Sequence, residues 1–242
     1  NSPLFRHTGY PALVVKDSIA DYFRKRTGKR PSVDPVSPDI VVNVHISNQR
    51  VTVSLDSTVN PLYKRGYRTD QTIAPVNEVL AAGILRMTGW TGQTLLIDPM
   101  CGSGTFPIEA AMFASGIPAG KFRSFFGFQK WSDYDENLFN EVRQDEDSKI
   151  RKPDIKIQAS DISSDAVEFA WSNMTRAGVS DLIELNVADF KDVKPVAGQG
   201  VLVMNPPYGQ RITPEDIDSL YTMIGSRSEE HTSDLQSRQV IS

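Results

Sequence analysis

Apolar positions along this chain follow two regimes. Between residues 13 and 26 they recur at helical spacing, with Leu13, Ile19, Ala20 and Phe23 on one stripe. Arg24, Lys25 and Arg26 close that segment before Gly28, as suits a helix C-terminus. Residues 31–38 are a turn-rich connector. Residues 40–46 and 49–56 alternate with period two, which predicts two antiparallel strands joined at Ser47 and Asn48. The second regime begins near residue 93. Short unbroken apolar runs at 95–97 and 201–204, and strand-like stretches at 155–159 and 183–187, alternate with helical stretches from Thr105 and over 164–177. Unbroken runs are what strands buried on both faces require, so this half predicts an α/β, doubly wound parallel sheet. A helix over 74–87, with Pro75 in its first turn, precedes it. Residues 116–153 interrupt the alternation with an aromatic insertion (Phe122, Phe125, Phe126, Phe128, Trp131, Tyr134) and an acidic helix. A further helix starts near 217, and no strand is visible beyond the fourth.

Composition narrows the picture. The 242 residues have room for one or two domains, and a 39% hydrophobic fraction supports a sizeable core. No run of about 18 apolar residues is present, so no membrane span is expected. No signal-peptide pattern appears, and the first residue is Asn1 rather than Met, so a fragment is expected. The single cysteine, Cys101, rules out an internal disulfide framework and suits a reducing cytoplasm. Three scattered histidines give no metal-ligand spacing, and no metal is expected. The net charge of −4 hides an asymmetry. Residues 1–70 hold 11 Lys/Arg against 6 Asp/Glu, whereas residues 71–242 hold 15 against 24. One module able to meet phosphates and another doing chemistry would give that split, as would a basic solvated surface.

Two strand ends carry the candidate chemistry. Leu95, Leu96 and Ile97 lead into Asp98, and Pro99 to Gly104 form a tight turn before the helix at Thr105. Gly102 and Gly104 let backbone approach a ligand where a Cβ would collide, and the helix N-terminus points free N–H groups the same way. Such a turn suits a nucleotide-like ligand lying across the strand end. The second stretch, VLVMNPPYG, ends another apolar run in Asn205, Pro206, Pro207 and Tyr208. An acid after the second strand, Asp161, is the position that accepts from ribose hydroxyls in dinucleotide-binding folds. It lies 63 residues beyond Asp98, where about 20 after the glycines is usual; the insertion supplies the excess.

The pair Asp98-Pro-Met-Cys-Gly-Ser-Gly-Thr and Asn205-Pro-Pro-Tyr-Gly resembles the S-adenosylmethionine-dependent methyltransferases that act on exocyclic amines. Within them it is most similar to the bacterial family that methylates guanine in large-subunit ribosomal RNA, whose catalytic domain follows an RNA-binding THUMP domain. The resemblance runs over residues 39–221. It implies a Rossmann-like class I methyltransferase sheet, truncated after the fourth strand, preceded by the C-terminal half of an α+β THUMP domain. It also implies S-adenosylmethionine as cofactor, held by Asp98, Pro99, Gly102, Gly104, Thr105, Asp161, Asp189 and Phe190. In that arrangement Asp189 accepts from the adenine amine and Phe190 lies beside the ring. Asn205 and the Pro206 carbonyl would accept hydrogen bonds from the target amine, Pro206 and Pro207 would stiffen the loop, and Tyr208 would stack on the base.

The implied partner is RNA, ribosomal RNA foremost, with no membrane and no metal; oligomeric state stays open. Residues 60–70, NPLYKRGYRTD, allow two readings. Lys64, Arg65 and Arg68 would meet phosphates while Tyr63 and Tyr67 stack on unpaired bases, or the stretch is a linker whose tyrosines anchor on the neighbouring domain. The insertion's rings likewise either touch RNA or pack the insertion down. The expected boundaries are a partial THUMP-like domain over 1–60, a linker and helix over 61–92, the methyltransferase domain over 93–226, and a tail over 227–242. The tail resembles the translation of a sequencing adapter and is set aside. Methylation of transfer-RNA guanine, methylation of DNA adenine, and a catalytically incomplete RNA-binding fragment are the competing expectations.

Overall fold

The computed structural model describes residues 9–36, 38–48, 50–68, 75–193, 200–206, 218–219, 221–223, 225–226 and 240–241. The chain divides into two units, residues 1–61 with 125–137 and residues 62–124 with 138–242.

In the first unit, helix α1 (Gly9–Thr27) leads to strands β1 (Val41–Ser47) and β2 (Arg50–Asp56). The strands pair antiparallel from Val41 opposite Asp56 to Ser47 opposite Arg50, around Asn48 at φ +53°. The insertion's rings from Phe125 to Tyr134 belong to this unit, whereas Phe122 belongs to the second. Phe126 and Phe128 stack with centroids 5.4 Å apart, and Tyr134 lies 6.0 Å from Phe128. The Phe128 amide donates to the Ser57 carbonyl at 3.0 Å. Gly127 sits so close that a Cβ there would meet Val59 Cγ2 at 2.8 Å and the Asp56 carbonyl oxygen at 3.0 Å. Phe126, Phe128 and Tyr134 therefore gather where the insertion packs onto the hairpin's exit.

The second unit is built on strands β3 (Leu95–Asp98), β4 (Ile157–Asp161), β5 (Ile183–Val187), β6 (Gly200–Val203) and β7 (Val240–Ile241), all parallel, in the order β5-β4-β3-β6-β7. The chain steps outward from β3 through β4 to β5, then returns to the other side of β3 to lay down β6. That reversal is the topological switch point of a doubly wound sheet. Alternate residues explain why the runs are unbroken. Leu96, Val201 and Val203 enter one hydrophobic cluster, while Ile97, Leu202 and Met204 enter a second, so the central strands are covered on both faces. Helices α2 (Glu78–Met87), α3 (Thr105–Ser115) and α5 (Ser164–Arg176) join this unit, and α3 packs against α2, α5 and β4. Helix α4 (Glu136–Ser148) buries no residue.

Three expectations are corrected. The sheet does not stop at its fourth strand: Val240–Ile241 pair with Leu202 and Val203 and cover backbone groups that β6 would otherwise leave unpaired. Strand β4 begins two residues later than the expected strand over 155–159 and reaches Asp161 itself. Helix α2 begins at Glu78, because the Asn77 side chain accepts from Val79 N at 2.9 Å and Leu80 N at 3.2 Å and so caps it. Among the described residues, no helix is long and apolar enough to cross a membrane.

Candidate active site

Strands β3 and β6 are direct neighbours, with Leu95 opposite Gly200 and Ile97 opposite Leu202. Because they run parallel, the turn after Asp98 and the loop after Met204 leave the same edge of the sheet. Four neighbouring strand ends each deliver one half-buried position there: Gly102 after β3, and the polar residues Asp161 ending β4, Asp189 after β5 and Asn205 after β6. Pro206, next in the chain, is buried. Pro207 and Tyr208 lie outside the described residues.

The glycine turn is held from below. Gly102 (φ +54°) and Gly104 (φ +86°) both use left-handed backbone. Gly104 is also where α3 and α5 come closest: a Cβ there would lie 3.2 Å from Ala170 Cβ and from Met174 Cε. The Asp161 carboxylate accepts from Gly102 N at 2.8 Å and from Ser163 N at 3.0 Å, so the acid expected at ribose also fixes the turn. Cys101 N donates to the Ser160 carbonyl at 2.9 Å, and Asn173 donates to the Ser103 carbonyl at 3.1 Å. Cys101 itself is buried, and burial pushes its thiol well above the ordinary range.

Asp98 is 1% exposed and its carboxyl is pushed up to about 8. Burial is the main cause. The Met100 amide, donating to Oδ1 at 3.2 Å, opposes it, and the nearby Asp161 charge adds to it. Its Oδ2 has no hydrogen-bond partner, and neither has the buried Ser103 Oγ. Asp189 accepts from Lys191 N at 3.0 Å and pairs with Lys191 Nζ, also at 3.0 Å; the amide and then the ammonium hold its carboxyl below the usual range. Phe190 is 3% exposed and packs with Ile97, Leu202 and Met204, so its ring serves the core.

The expected phosphate-binding cations divide. Lys64 is exposed. Arg65 is turned inward: Nε and Nη2 donate to Glu109 at 3.2 and 3.1 Å, and the buried Tyr67 hydroxyl donates to the same carboxylate at 3.2 Å. Arg68 donates through Nη2 to Thr105 Oγ1 at 2.6 Å and to the Val76 carbonyl at 3.2 Å, while Nε faces Glu78 at 3.4 Å. Arg65 is thus buried against Glu109, and Arg68 is half-buried beside Glu78 and the start of α3. Burial raises the Glu109 carboxyl, and Arg65 opposes the shift. Glu109 is not singled out by the sequence patterns; Glu78, which from sequence reads either as a solvated glutamate or as a residue near the cofactor, is buried. A separate cleft of about 430 Å³ runs between α2 and α3, lined by Arg65, Leu85, Arg86, Glu109 and Phe113, and does not include the glycine turn.

The family described as "RMKL-like, methyltransferase domain" matches residues 65–241, and the THUMP domain family matches residues 3–56. The chain belongs to the RMKL-like methyltransferase family. Among relatives, this RMKL-like chain is 41% identical over 227 residues to the ribosomal RNA large subunit methyltransferase K/L of Psychromonas ingrahamii, covering 91% of this chain and 30% of that protein. It is 39% identical to slr0064 of Synechocystis sp., covering 93% of this chain and 59% of that one. Among solved structures, SMU.472 complexed with S-adenosylhomocysteine superposes with a TM-score of 0.77 at 33% identity, over 88% of this chain and 56% of that chain. The chain thus spans between about a third and three-fifths of the lengths of these relatives. The sheet and its helices are those of the α/β methyltransferase fold.

Proposed function

We propose that the chain forms the methyl-transfer site of an enzyme that moves a methyl group from S-adenosylmethionine to the exocyclic amine of a guanine in RNA, large-subunit ribosomal RNA foremost. The observation that carries this reading is the adjacency of β3 and β6, which brings the glycine turn and Asn205 to one edge of the sheet. The ribosomal RNA relatives, the matching THUMP segment and the bound S-adenosylhomocysteine of SMU.472 support it. The residues present fit the cofactor. The turn uses two left-handed glycines, Asp98 keeps an unpartnered buried oxygen, and the half-buried acids Asp161 and Asp189 stand on the next two strands. An ammonium suits Asp98, ribose hydroxyls suit Asp161, and an adenine amine suits Asp189.

When bound, S-adenosylmethionine supplies an electrophilic methyl carbon on a positive sulfur. The protein's task is to make a poor nucleophile attack it. A guanine exocyclic nitrogen is delocalised into its ring. The Asn205 side-chain oxygen and the Pro206 carbonyl accept its two N–H bonds, fix the nitrogen and favour the positive charge that builds on it. Pro206 is buried, and Pro207 after it restricts the backbone torsion ψ that aims the Pro206 carbonyl. Tyr208 stacks on the base, which must be unpaired or flipped out to reach the loop. The surplus proton leaves to water, so no side chain is assigned as general base.

The test is Asn205→Ala, with tritium transfer from labelled S-adenosylmethionine to undermodified ribosomal RNA and nucleoside mass spectrometry of the product. Transfer is expected to fall at least about 100-fold with cofactor affinity unchanged, and the parent's product to be N2-methylguanosine. N6-methyladenosine would reject the guanine assignment, and unchanged turnover would remove Asn205 from the mechanism.

A further inference from the structure

Helix α3 is unusual in how its N-terminus is finished. No side chain caps it and its first turn carries no acid, whereas α2 has Asn77 and Glu78, and α5 has Ser163 and Asp165. Free N–H groups and a partial positive charge at a helix start call for an anion. What stands there instead is a cation: Arg68 Nη2 holds Thr105 Oγ1, on the first residue of α3, at 2.6 Å. A guanidinium at the positive end of a helix is electrostatically the wrong way round unless a negative group is to join them. Glu78 offsets part of the charge, but at 3.4 Å it makes no hydrogen bond to Nε, which stays buried without a partner. Ser103, beside Gly104 and 3% exposed, also keeps a hydroxyl without a partner. On the strand side of the same turn stands Asp98, 1% exposed, with Oδ2 unpartnered. A buried carboxyl before the turn and a half-buried guanidinium beside the helix start match the two charges of an α-amino acid.

We infer that Arg68 binds the carboxylate of the amino-acid tail of S-adenosylmethionine, together with the N-terminus of α3. This rests on the cofactor reading above and adds to it a ligand from the connector that precedes α2. Arg68 then has two duties. Nη2 positions Thr105, and the remaining N–H groups supply the charge-assisted bonds that the helix start alone would give only weakly. No bond is made or broken by Arg68.

Decarboxylated S-adenosylmethionine separates this role from a merely structural one, because it keeps the sulfonium, the adenosine and the ammonium and lacks only the carboxylate. Binding of both ligands to the unaltered chain, Arg68→Met and Arg68→Lys is measured by calorimetry. Arg68→Met is expected to lose about 10- to 100-fold in affinity for S-adenosylmethionine and less than about threefold for the decarboxylated ligand, with Arg68→Lys regaining part of the loss. The unaltered chain is expected to prefer the intact ligand by a similar factor. Equal losses for both ligands, or none, overturn the inference while leaving the cofactor reading intact. Binding of neither ligand to the unaltered chain overturns both. Circular dichroism checks that Arg68→Met folds; if it does not, the same comparison is read from Arg68→Lys alone, for which a selective loss supports the role and an equal one rejects it.

Discussion

Asp98→Asn should stabilise the protein near neutral pH while damaging ligand binding. The carboxyl is 1% exposed, accepts one amide N–H and leaves Oδ2 without a partner. Its value in the fold is about 8 against 3.8 for an unperturbed group, burial being the first cause. Because the folded value is raised, the unfolded chain gives up this proton first. The native state loses stability as pH rises above about 4, by about 1.4 kcal/mol per unit until about pH 8. At pH 7 the accumulated cost is up to about 4 kcal/mol. Asparagine keeps the oxygen that accepts from Met100 and cannot ionise, but its NH₂ takes the unpartnered position at a cost of about 1–3 kcal/mol. The net expectation is a gain of about 1–3 kcal/mol at pH 7–8 and a loss of similar size at pH 4. Urea unfolding from pH 4 to 9, followed by the fluorescence of the buried Trp90, measures both arms. Calorimetry in two buffers of different ionisation enthalpy adds a second readout. Cofactor binding to the parent should release about one proton near neutral pH, and binding to Asp98→Asn should be weaker and release none. Superimposable stability profiles for the two proteins, or a variant less stable than the parent at pH 8, would refute the reasoning.

Asp161→Ala should weaken cofactor binding about 10- to 100-fold and also lower the unfolding midpoint, because Gly102 N and Ser163 N lose their acceptor; equal affinity by calorimetry rejects the ribose role. Glu109→Ala leaves the Arg65 guanidinium buried and unpaired and should cost about 3–5 kcal/mol in urea unfolding, whereas the double change Arg65→Met with Glu109→Met should recover most of it; a single variant as stable as the parent would show that the pair is not buried as described. Gly104→Ala places a Cβ 3.2 Å from Ala170 and Met174 at φ +86°, and a loss of about 1–3 kcal/mol is expected; calorimetric unfolding without any loss would mean that α3 and α5 approach less closely. Gly127→Val would drive a side chain into Val59 and the Asp56 carbonyl, so the insertion should become markedly more sensitive to limited proteolysis.

The turn after β3 could be located from residues alone because its demands are local. Two glycines must take left-handed backbone within three residues, and a helix must begin at Thr105, as it does. The two central parallel strands were legible for a related reason: β3 and β6 are covered on both faces, so each reads as an unbroken apolar run, whereas β4 and β5 carry polar residues within the strand and show only as short stretches between helices. Arg65 and Arg68 were not legible in the same way. NPLYKRGYRTD looks like a solvated, basic connector because the carboxylates that draw its arginines inward are 44 residues away at Glu109 and beyond residues 69–74 at Glu78. A clue to Glu109 does exist, since it is the one charge in TFPIEAAMFAS, a helix buried on nearly every side. A lone carboxylate in such a helix requires a cation from elsewhere, and that partner is near only in space. The insertion shows the same limit: what fixes Gly127 is contact with Val59 and Asp56, about 70 residues earlier, and ring content cannot distinguish that from an RNA-facing surface.

Strand order is the deeper reason why two separate motifs amount to one candidate site. Either stretch, taken singly, is a turn at a strand end. Had the chain continued outward past β5, the Asn205 loop would stand three strands from the glycine turn, about 14 Å away at a strand spacing of about 4.8 Å, too far for an amine and a methyl group to meet. Instead β6 returns to the far side of β3, and the two loops emerge one strand apart with Gly102, Asp161 and Asp189 in line beside them. In the proposed site, the positions assigned to the cofactor then spread over three strands on one side, and the loop assigned to the amine stands alone on the other. This division implies separable failures. Changes at Asp98, Asp161 or Arg68 should appear in cofactor affinity, and changes at Asn205 in turnover at saturating cofactor. A variant at Asn205 that lost cofactor affinity and left turnover untouched would contradict the division, even if the chain proved to be a methyltransferase.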